Sequence, residues 1–333
     1  MTAEQIKIYQ TIANYLQEKD HFLITTHVRP DGDSVSSALV LSTILDSYGK
    51  QYHIVLDDCI PKKLHYLLGI EKIHKYQENA DAFSHHAVII LDSSDTNRIG
   101  QVKQLFHGNE TIINIDHHPG NTYFGDLNMV DSTKSSTVEV VYPLVDFTKT
   151  KWTSALATMV YTGILSDTGR FLFANTSSDA MFICAEMVKQ GADPSFISEM
   201  LYNRSSPETM RALAKALSSL EFNFDDQVTC MHLDSEYLCH SGTVDTEGFV
   251  DTITGIEGVK ASFFMMERDD QEFRVSFRSK GEVDVNEVAG SFGGGGHVRA
   301  SGANIDGTLE QVKQKVLKVI KRHLSQETEE NHI

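Results

Sequence analysis

Cysteine is scarce in this chain of 333 residues, and it shows no pairing pattern. The four cysteines, Cys59, Cys184, Cys230 and Cys239, are widely separated and include no CxxC pair. This argues against a disulfide framework and against a structural zinc site built on cysteine. Scattered thiols are typical of a reducing compartment, so we expect a cytoplasmic protein.

Long apolar runs are missing as well. No run approaches the roughly 20 residues that a membrane-spanning helix needs. Residues 1–7 include an acid and lack the apolar stretch of a signal peptide. We therefore expect no membrane partner, and we interpret the acidic residues 326–333 as a frayed tail.

Basic residues are outnumbered: 29 Lys and Arg stand against 46 Asp and Glu, which gives a net charge of −17. A protein that binds long duplex nucleic acid through its general surface is expected to be basic. The charge therefore argues against that class of partner. It favours small or short phosphate-bearing ligands that are held locally by metal ions and a few bases.

The hydrophobic pattern predicts an α/β protein of about two domains. Strands and helices alternate over residues 1–190, which predicts a mostly parallel sheet with covered faces. Residues 191–222 are predicted to be a helical connector, and residues 223–325 a smaller α/β domain with a mixed sheet. The predicted strands are 22–26, 52–56, 87–92, 111–116, 228–233, 259–266 and 272–278. Helices near 61–68 and 99–106 are among those predicted for the first domain.

Acidic and histidine residues follow the predicted strands of the first domain, and one more ends an apolar helix. They are His27, Asp31, Asp33, Asp92, Asp116, His117, His118 and Asp167. Ligands bind at the carboxyl ends of strands in open α/β sheets, so these side chains are predicted to meet. Carboxylate oxygens and imidazole nitrogens suit Mn²⁺, Mg²⁺ or similar ions.

A pair of adjacent ions is the predicted arrangement, because two ions roughly 3.5–4 Å apart clamp an in-line displacement at phosphorus. Asp92 is the predicted bridge, since its strand is central in the expected sheet. For Asp31 and Asp33 taken alone, capping of the following helix is an equal alternative. His85 and His86 precede a strand, and we interpret them as structural or exposed.

The motifs Asp116-His117-His118 and His27-x-x-x-Asp31-x-Asp33, with Asp92 and Asp167, resemble the DHH superfamily of phosphoesterases. The run of four glycines before His297 resembles the signature of the DHH-associated C-terminal domain. The resemblance spans nearly the whole chain and looks most like the bacterial oligoribonuclease/pAp-phosphatase (nanoRNase) group. It implies two divalent ions, foremost Mn²⁺, with Mg²⁺ or Co²⁺ as alternatives. It assigns one ion to His27, Asp31 and Asp92, and the other to Asp33, Asp92, His117 and Asp167.

The resemblance also implies roles beyond the metal ligands. His118 and Asp92 would be catalytic, and His118 would also contact the phosphate. In the second domain, Arg278, Ser279 and His297 would hold a nucleotide or a nucleic-acid end. Further predicted substrate contacts are Arg98, Arg299, Gly294, Gly295 and Gly296. The glycines are candidates because their amides can approach an anion closely. The alternative interpretation is that the glycines form a flexible linker and that the arginines are solvated surface charges.

The resemblance implies a phosphodiesterase or exonuclease that hydrolyses short oligoribonucleotides to mononucleotides, and that also removes the 3′-phosphate of pAp. One alternative is a cyclic or linear dinucleotide (c-di-AMP/pApA) phosphodiesterase with the same site. An inorganic pyrophosphatase would lack the glycine–histidine signature, and a non-catalytic nucleotide sensor would not need the intact ligand set. The sequence does not decide the preferred length and polarity of the oligonucleotide, the choice between RNA and DNA, the identity of the metal, or whether the protein is a homodimer.

Overall fold

The chain divides into two units, Met1–Arg204 and Ser205–Ile333. The computed structural model describes residues 2–77, 84–235, 244–246, 248–269, 271–280 and 283–330. Within these ranges, no helix combines the length and the apolar character needed to cross a membrane.

The first unit is built on six parallel strands, as predicted for a mostly parallel sheet. They are β1 (Phe22–Thr26), β2 (Tyr52–Leu56), β3 (Ile73–Lys75), β4 (Ala87–Leu91), β5 (Thr111–Asp116) and β6 (Leu127–Val130). Their order is β3-β2-β1-β4-β5-β6. The chain therefore builds outward from β1 in one direction and then continues on its other side with β4. At such a reversal the carboxyl ends of two neighbouring strands open a crevice that binds ligands.

Six α-helices accompany this sheet within the described part of the unit. They are α1 (Ala3–Glu18), α2 (Gly32–Ser47), α3 (Thr137–Phe147), α4 (Ser154–Asp167), α5 (Ser178–Lys189) and α6 (Pro194–Tyr202). Strands β1 and β4 are buried along their whole length, which explains why they read as continuous apolar runs. Full burial of each large apolar side chain contributes about 1.5–3 kcal/mol, so these strands anchor the site at their ends.

Two predicted helices of this unit are wrong in type. Residues 61–68 contain only a 3-10 helix, Lys62–Leu64, and Gly69 follows with a φ of +85°. So short a segment gains too few hydrogen bonds to offset the cost of helix nucleation. The helix near 99–106 is also 3-10, Thr96–Leu105, and Gly100 interrupts it with a φ of +62°. Strands β3 and β6 were not predicted, because both are short and only partly buried.

The second unit contains a mixed six-stranded sheet in the order β11-β12-β10-β9-β8-β7, which confirms the predicted class. Its strands are β7 (Glu221–Asn223), β8 (Val228–Leu233), β9 (Ala261–Asp269), β10 (Glu272–Ser279), β11 (Gly295–His297) and β12 (Ala300–Asp306). Among the described strand pairs of this sheet, only β8–β9 is parallel. The described helices are α7 (Pro207–Leu217), α8 (Phe249–Thr254), α9 (Val285–Gly290) and α10 (Leu309–Glu330).

Strand β10 sets the direction of the side chains that were predicted to bind substrate. Phe273, Val275 and Phe277 are buried and alternate with partly exposed residues. Successive side chains of a strand point to opposite faces. Arg278 therefore lies on the partly exposed face, and Ser279 lies on the buried one.

Candidate metal centre

The first candidate ligands lie between β1 and α2. His27 directly follows β1, and its Nδ1 lies 2.7 Å from the carbonyl oxygen of Val28. A carbonyl only accepts, so the proton is on Nδ1 and Nε2 is the metal-facing nitrogen. Asp31 caps α2 with Oδ1, which accepts from the amides of Asp33 and Ser34 at 3.1 and 3.0 Å. Its Oδ2 lies 3.6 Å from Nε2 of His27, so one carboxylate both caps a helix and faces the cluster.

Asp33 lies in the first turn of α2 and is fully buried. Its Oδ2 accepts from the amide of Thr137 at 2.6 Å, and its Oδ1 accepts from the amide of Val138 at 2.8 Å. Both donors lie in the first turn of α3, where amides lack helical partners and the helix dipole is positive. The start of α3 therefore orients Asp33.

Asp92 occupies the middle of the cluster. It follows β4, is 2% exposed, and has a φ of +57°, a conformation that Asp and Asn adopt more readily than most residues. Its Oδ2 lies 3.3 Å from Nε2 of His27, and its Oδ1 lies 3.6 Å from Nε2 of His117. The Thr137 hydroxyl donates to Oδ1 at 2.8 Å. The two oxygens of one carboxylate thus face two different histidines.

His117 and Asp167 complete the set of six. His117 follows β5, and its Nδ1 lies 3.3 Å from the carbonyl oxygen of Lys134. This contact places the proton on Nδ1 and turns Nε2 towards the cluster. Nε2 lies 3.4 Å from Oδ2 of Asp167, the last residue of α4.

Three overlapping groups of donor atoms result, and the atoms of each group lie within 4.8 Å of one another. The groups are His27/Asp31/Asp92, Asp33/His117/Asp167 and Asp92/His117/His118. Among the described residues, the structure therefore brings together all six side chains that the family resemblance implies as ligands. The donor set of carboxylate oxygens and imidazole nitrogens fits a divalent cation.

The pKa values of the cluster reflect its crowding. The pKa values of Asp33 and Asp167 are raised well above the ordinary range, first by burial and then by the negative charge of Asp92 and other carboxylates. Burial also acts to raise the pKa of Asp92, but the contact with His27 outweighs burial and lowers this pKa. Burial lowers the pKa of His27, but its carboxylate contacts outweigh this and raise it. Burial and like charge therefore favour the protonated forms of Asp33 and Asp167, whereas the contact with His27 favours the ionised form of Asp92.

His118 lies between a carboxylate and a guanidinium. Its Nδ1 lies 2.7 Å from Oδ1 of Asp116, and Nη1 of Arg98 lies 3.2 Å from its Nε2. The other oxygen of Asp116, which is fully buried, accepts from the side-chain amide of Asn121 at 2.7 Å. A proton on Nδ1 satisfies Asp116 and leaves Nε2 to accept from Arg98. The structure thus brings Arg98 to the edge of the metal centre.

His85 and His86 lie at the opposite, amino end of β4. His85 is buried, and its ring centre lies 4.5 Å from that of His107. His86 is exposed, and its amide donates to the carbonyl oxygen of His21. Neither histidine belongs to a described donor group, in line with the structural interpretation.

The predicted substrate residues of the second unit have protein partners. Nε of Arg278 donates to Oδ1 of Asp251 at 2.7 Å, and its Nη1 donates to the carbonyl oxygen of Phe277 at 3.0 Å. Ser279 is buried, and its amide donates to the carbonyl oxygen of Arg299 at 3.1 Å. A phosphate at Arg278 would bind beside Asp251 or displace it.

The glycine run at residues 293–296 meets a packing requirement. A Cβ on Gly294 or Gly296 would overlap the backbone of β12, and Gly296 has a φ of +151°. The amides of Gly293, Gly294 and Gly296 donate to acceptors in α9. Gly295 and His297 are exposed in β11. At least three of the four amides are therefore engaged within the protein, and anion binding by this loop stays a prediction.

The fold and the buried His/Asp cluster define a metal-dependent phosphoesterase of the DHH type. The family model described as "DHH family, N-terminal domain" matches residues 21–164, and the DHHA1 domain matches residues 242–326. The chain belongs to the DHH family of phosphoesterases, and its cluster is consistent with the metal site of that family.

Two of the curated relatives carry the same name. The bifunctional oligoribonuclease and PAP phosphatase NrnA of Thermus thermophilus is 35% identical over 305 residues, which cover 91% of this chain and 90% of the relative. The protein of the same name from Bacillus subtilis is 31% identical and covers 90% and 92%. A crystal structure of an exopolyphosphatase-related protein from Bacteroides fragilis is 27% identical, with a TM-score of 0.88 and coverage of 95% and 96%.

Two residues that orient side chains of the site were not predicted from the sequence. Thr137 contacts Asp33 and Asp92, and Asn121 contacts Asp116. Nothing in the sequence pattern links Thr137 to an aspartate 104 positions away.

Proposed function

We propose that this protein is a Mn²⁺-dependent phosphodiesterase that hydrolyses short oligoribonucleotides to mononucleotides and also removes the 3′-phosphate of pAp. The observation that carries the proposal is the pair of donor groups that face the two oxygens of Asp92. The substrate class is supported by full-length similarity to two relatives that are named as bifunctional oligoribonucleases and PAP phosphatases.

The ligand set is proposed to divide between two ions. His27 and Asp31 would hold one, Asp33, His117 and Asp167 would hold the other, and Asp92 would bridge them. Two adjacent divalent ions, when bound, clamp the attacking and leaving oxygens of an in-line displacement at phosphorus. Four carboxylates balance the charge of two such ions, so the site can accept an anionic phosphate without an excess of negative charge.

His118 and Arg98 are proposed to act on the phosphate itself. Asp116 holds the imidazole by Nδ1, so Nε2 is the atom of His118 that would face the phosphate and its leaving group. Arg98 reaches the same nitrogen. Its planar guanidinium can donate to phosphate oxygens with the N–H groups that do not face His118.

Recognition is proposed to involve the second unit. Arg278 and Ser279 would bind a terminal phosphate, His297 a base or sugar, and Arg299 a further phosphate. The glycine run would then serve mainly to shape the β11–β12 hairpin that presents His297 and Arg299.

The test is a substrate panel with purified protein in Mn²⁺, Mg²⁺ or Co²⁺. It offers labelled RNAs of two to seven nucleotides, pAp, linear and cyclic dinucleotides, and pyrophosphate, with Asp92→Asn as the inactive control. We expect mononucleotide release from the short RNAs and phosphate release from pAp. Turnover confined to dinucleotides would favour the dinucleotide phosphodiesterase. Binding without turnover of any substrate would favour a sensor.

A further inference from the structure

One short segment contacts three of the six candidate ligands. The segment comprises residues 134–139, which connect β6 to the first turn of α3. The carbonyl oxygen of Lys134 lies 3.3 Å from Nδ1 of His117. The amides of Thr137 and Val138 each donate to an oxygen of Asp33. These three contacts, together with the Thr137 hydroxyl on Asp92, tie the ends of β4 and β5 and the start of α2 to one segment.

A buried carboxylate holds this segment in its conformation. The side chain of Glu139 is fully buried. Its Oε2 accepts from the amide and the hydroxyl of Ser135 at 2.9 and 2.7 Å, and its Oε1 lies 3.1 Å from Nζ of Lys134. A buried carboxylate is costly unless it is hydrogen-bonded and paired. Every one of these partners lies in the segment itself, so the compensation directly restrains residues 134 and 135.

The geometry differs from that of an ordinary helix cap. Ser136 is the N-cap of α3, and its hydroxyl accepts from the amide of Glu139 at 3.3 Å. In a capping box, the side chain at the third helical position would return to the amide of the N-cap residue. Here the carboxylate binds one residue earlier, at Ser135. This shift carries the restraint back to Lys134, whose carbonyl sets the proton position on His117.

We propose that Glu139 is a positioning residue for the metal centre. Through Ser135 and Lys134 it fixes the segment that orients His117, Asp33 and Asp92. Residues that orient metal ligands typically change metal affinity roughly 10- to 100-fold when they are replaced. The inference rests on the ligand assignment proposed above, and it adds a residue that acts on the ligands only through the segment that contacts them.

The test measures Mn²⁺ binding by calorimetry on the full chain, together with the melting temperature without metal. Glu139→Gln keeps the size but removes the charge that pairs with Lys134, and we expect Mn²⁺ binding to weaken roughly 10- to 100-fold. Thr137→Val removes only the hydroxyl that donates to Asp92, and it should also weaken Mn²⁺ binding. Thr137→Ser keeps that hydroxyl and should bind Mn²⁺ as the wild type does.

The matched control is Asp193→Ala, which removes the cap of α6 in the same unit and has no described contact with a candidate ligand. It should lower the melting temperature and leave Mn²⁺ affinity unchanged. Glu139→Gln with a lower melting temperature and wild-type Mn²⁺ affinity would overturn the proposal. If Glu139→Gln does not fold, unchanged affinity in Thr137→Val overturns it. Wild-type Mn²⁺ binding in Asp92→Asn would instead refute the ligand assignment itself.

Discussion

Replacement of Asp92 by asparagine is the sharpest perturbation of this centre. Asparagine keeps the size of the side chain and tolerates the left-handed backbone that Asp92 adopts, with a φ of +57°. The amide of residue 92 can still donate to the carbonyl oxygen of Ile115, and the remaining side-chain oxygen can still accept from Thr137. We therefore expect the fold to survive.

The effect on function follows from the two-sided position of Asp92. One oxygen faces His27 and the other faces His117, at 3.3 and 3.6 Å. An asparagine amide nitrogen cannot act as a ligand on whichever side it lies, and one of the four balancing charges is lost. We expect kcat/KM to fall at least about 10³-fold, which corresponds to about 4 kcal/mol of transition-state stabilisation.

The assay compares wild type and Asp92→Asn on a labelled dinucleotide and on bis-p-nitrophenyl phosphate in saturating Mn²⁺, with metal content measured on the same samples. Circular dichroism and the melting temperature without metal establish that the variant is folded. Severe loss on both substrates is expected, because the change lies at the chemical step. Near-normal turnover with normal metal content would refute the bridging assignment.

Three further predictions address other parts of the molecule. His117→Ala should abolish activity and metal binding, whereas a double replacement of His85 and His86 by alanine should leave both nearly intact. Equal metal loss in the two proteins would contradict the rule that histidines after a strand are ligands and histidines before a strand are structural. Arg278→Ala should lower kcat/KM about 30- to 1000-fold on a dinucleotide or pAp but only slightly on bis-p-nitrophenyl phosphate. An equal loss on both substrates would place this arginine at the chemical step. Mn²⁺ binding should release protons, because burial and neighbouring carboxylates raise the pKa of Asp33 and the metal binds the deprotonated form. The affinity for Mn²⁺ should therefore strengthen as the pH rises through that raised pKa. Calorimetry in two buffers of different ionisation enthalpy measures this release, and identical heats in both would argue against it.

Local sequence was enough to locate the strands that carry the site. The predicted strands 22–26 and 111–116 agree with β1 and β5 residue for residue. Each consists mainly of β-branched and apolar residues and ends at a polar one, so the backbone preference and the burial signal agree. For the same reason, His27 and His117 could be placed at strand ends before any tertiary contact was known.

Other features depended on contacts between distant residues. The position of Asp92 between two histidines follows from the pairing of β4 with both β1 and β5, which a strand-by-strand pattern does not specify. The pairing of Arg278 with Asp251 joins β10 to α8. The sequence pattern left Arg278 as a solvated base or a phosphate ligand.

The sequence by itself therefore determined which residue types stand at the ends of which strands, and with them the family and the candidate ligands. Tertiary structure alone decided how those ligands are held. Hydrogen bonds such as those from Thr137 to Asp33 and Asp92, and the buried carboxylate of Glu139, depend on two elements meeting at a particular distance and angle. A periodic pattern records which face of an element is buried, but it does not record which polar groups will meet there.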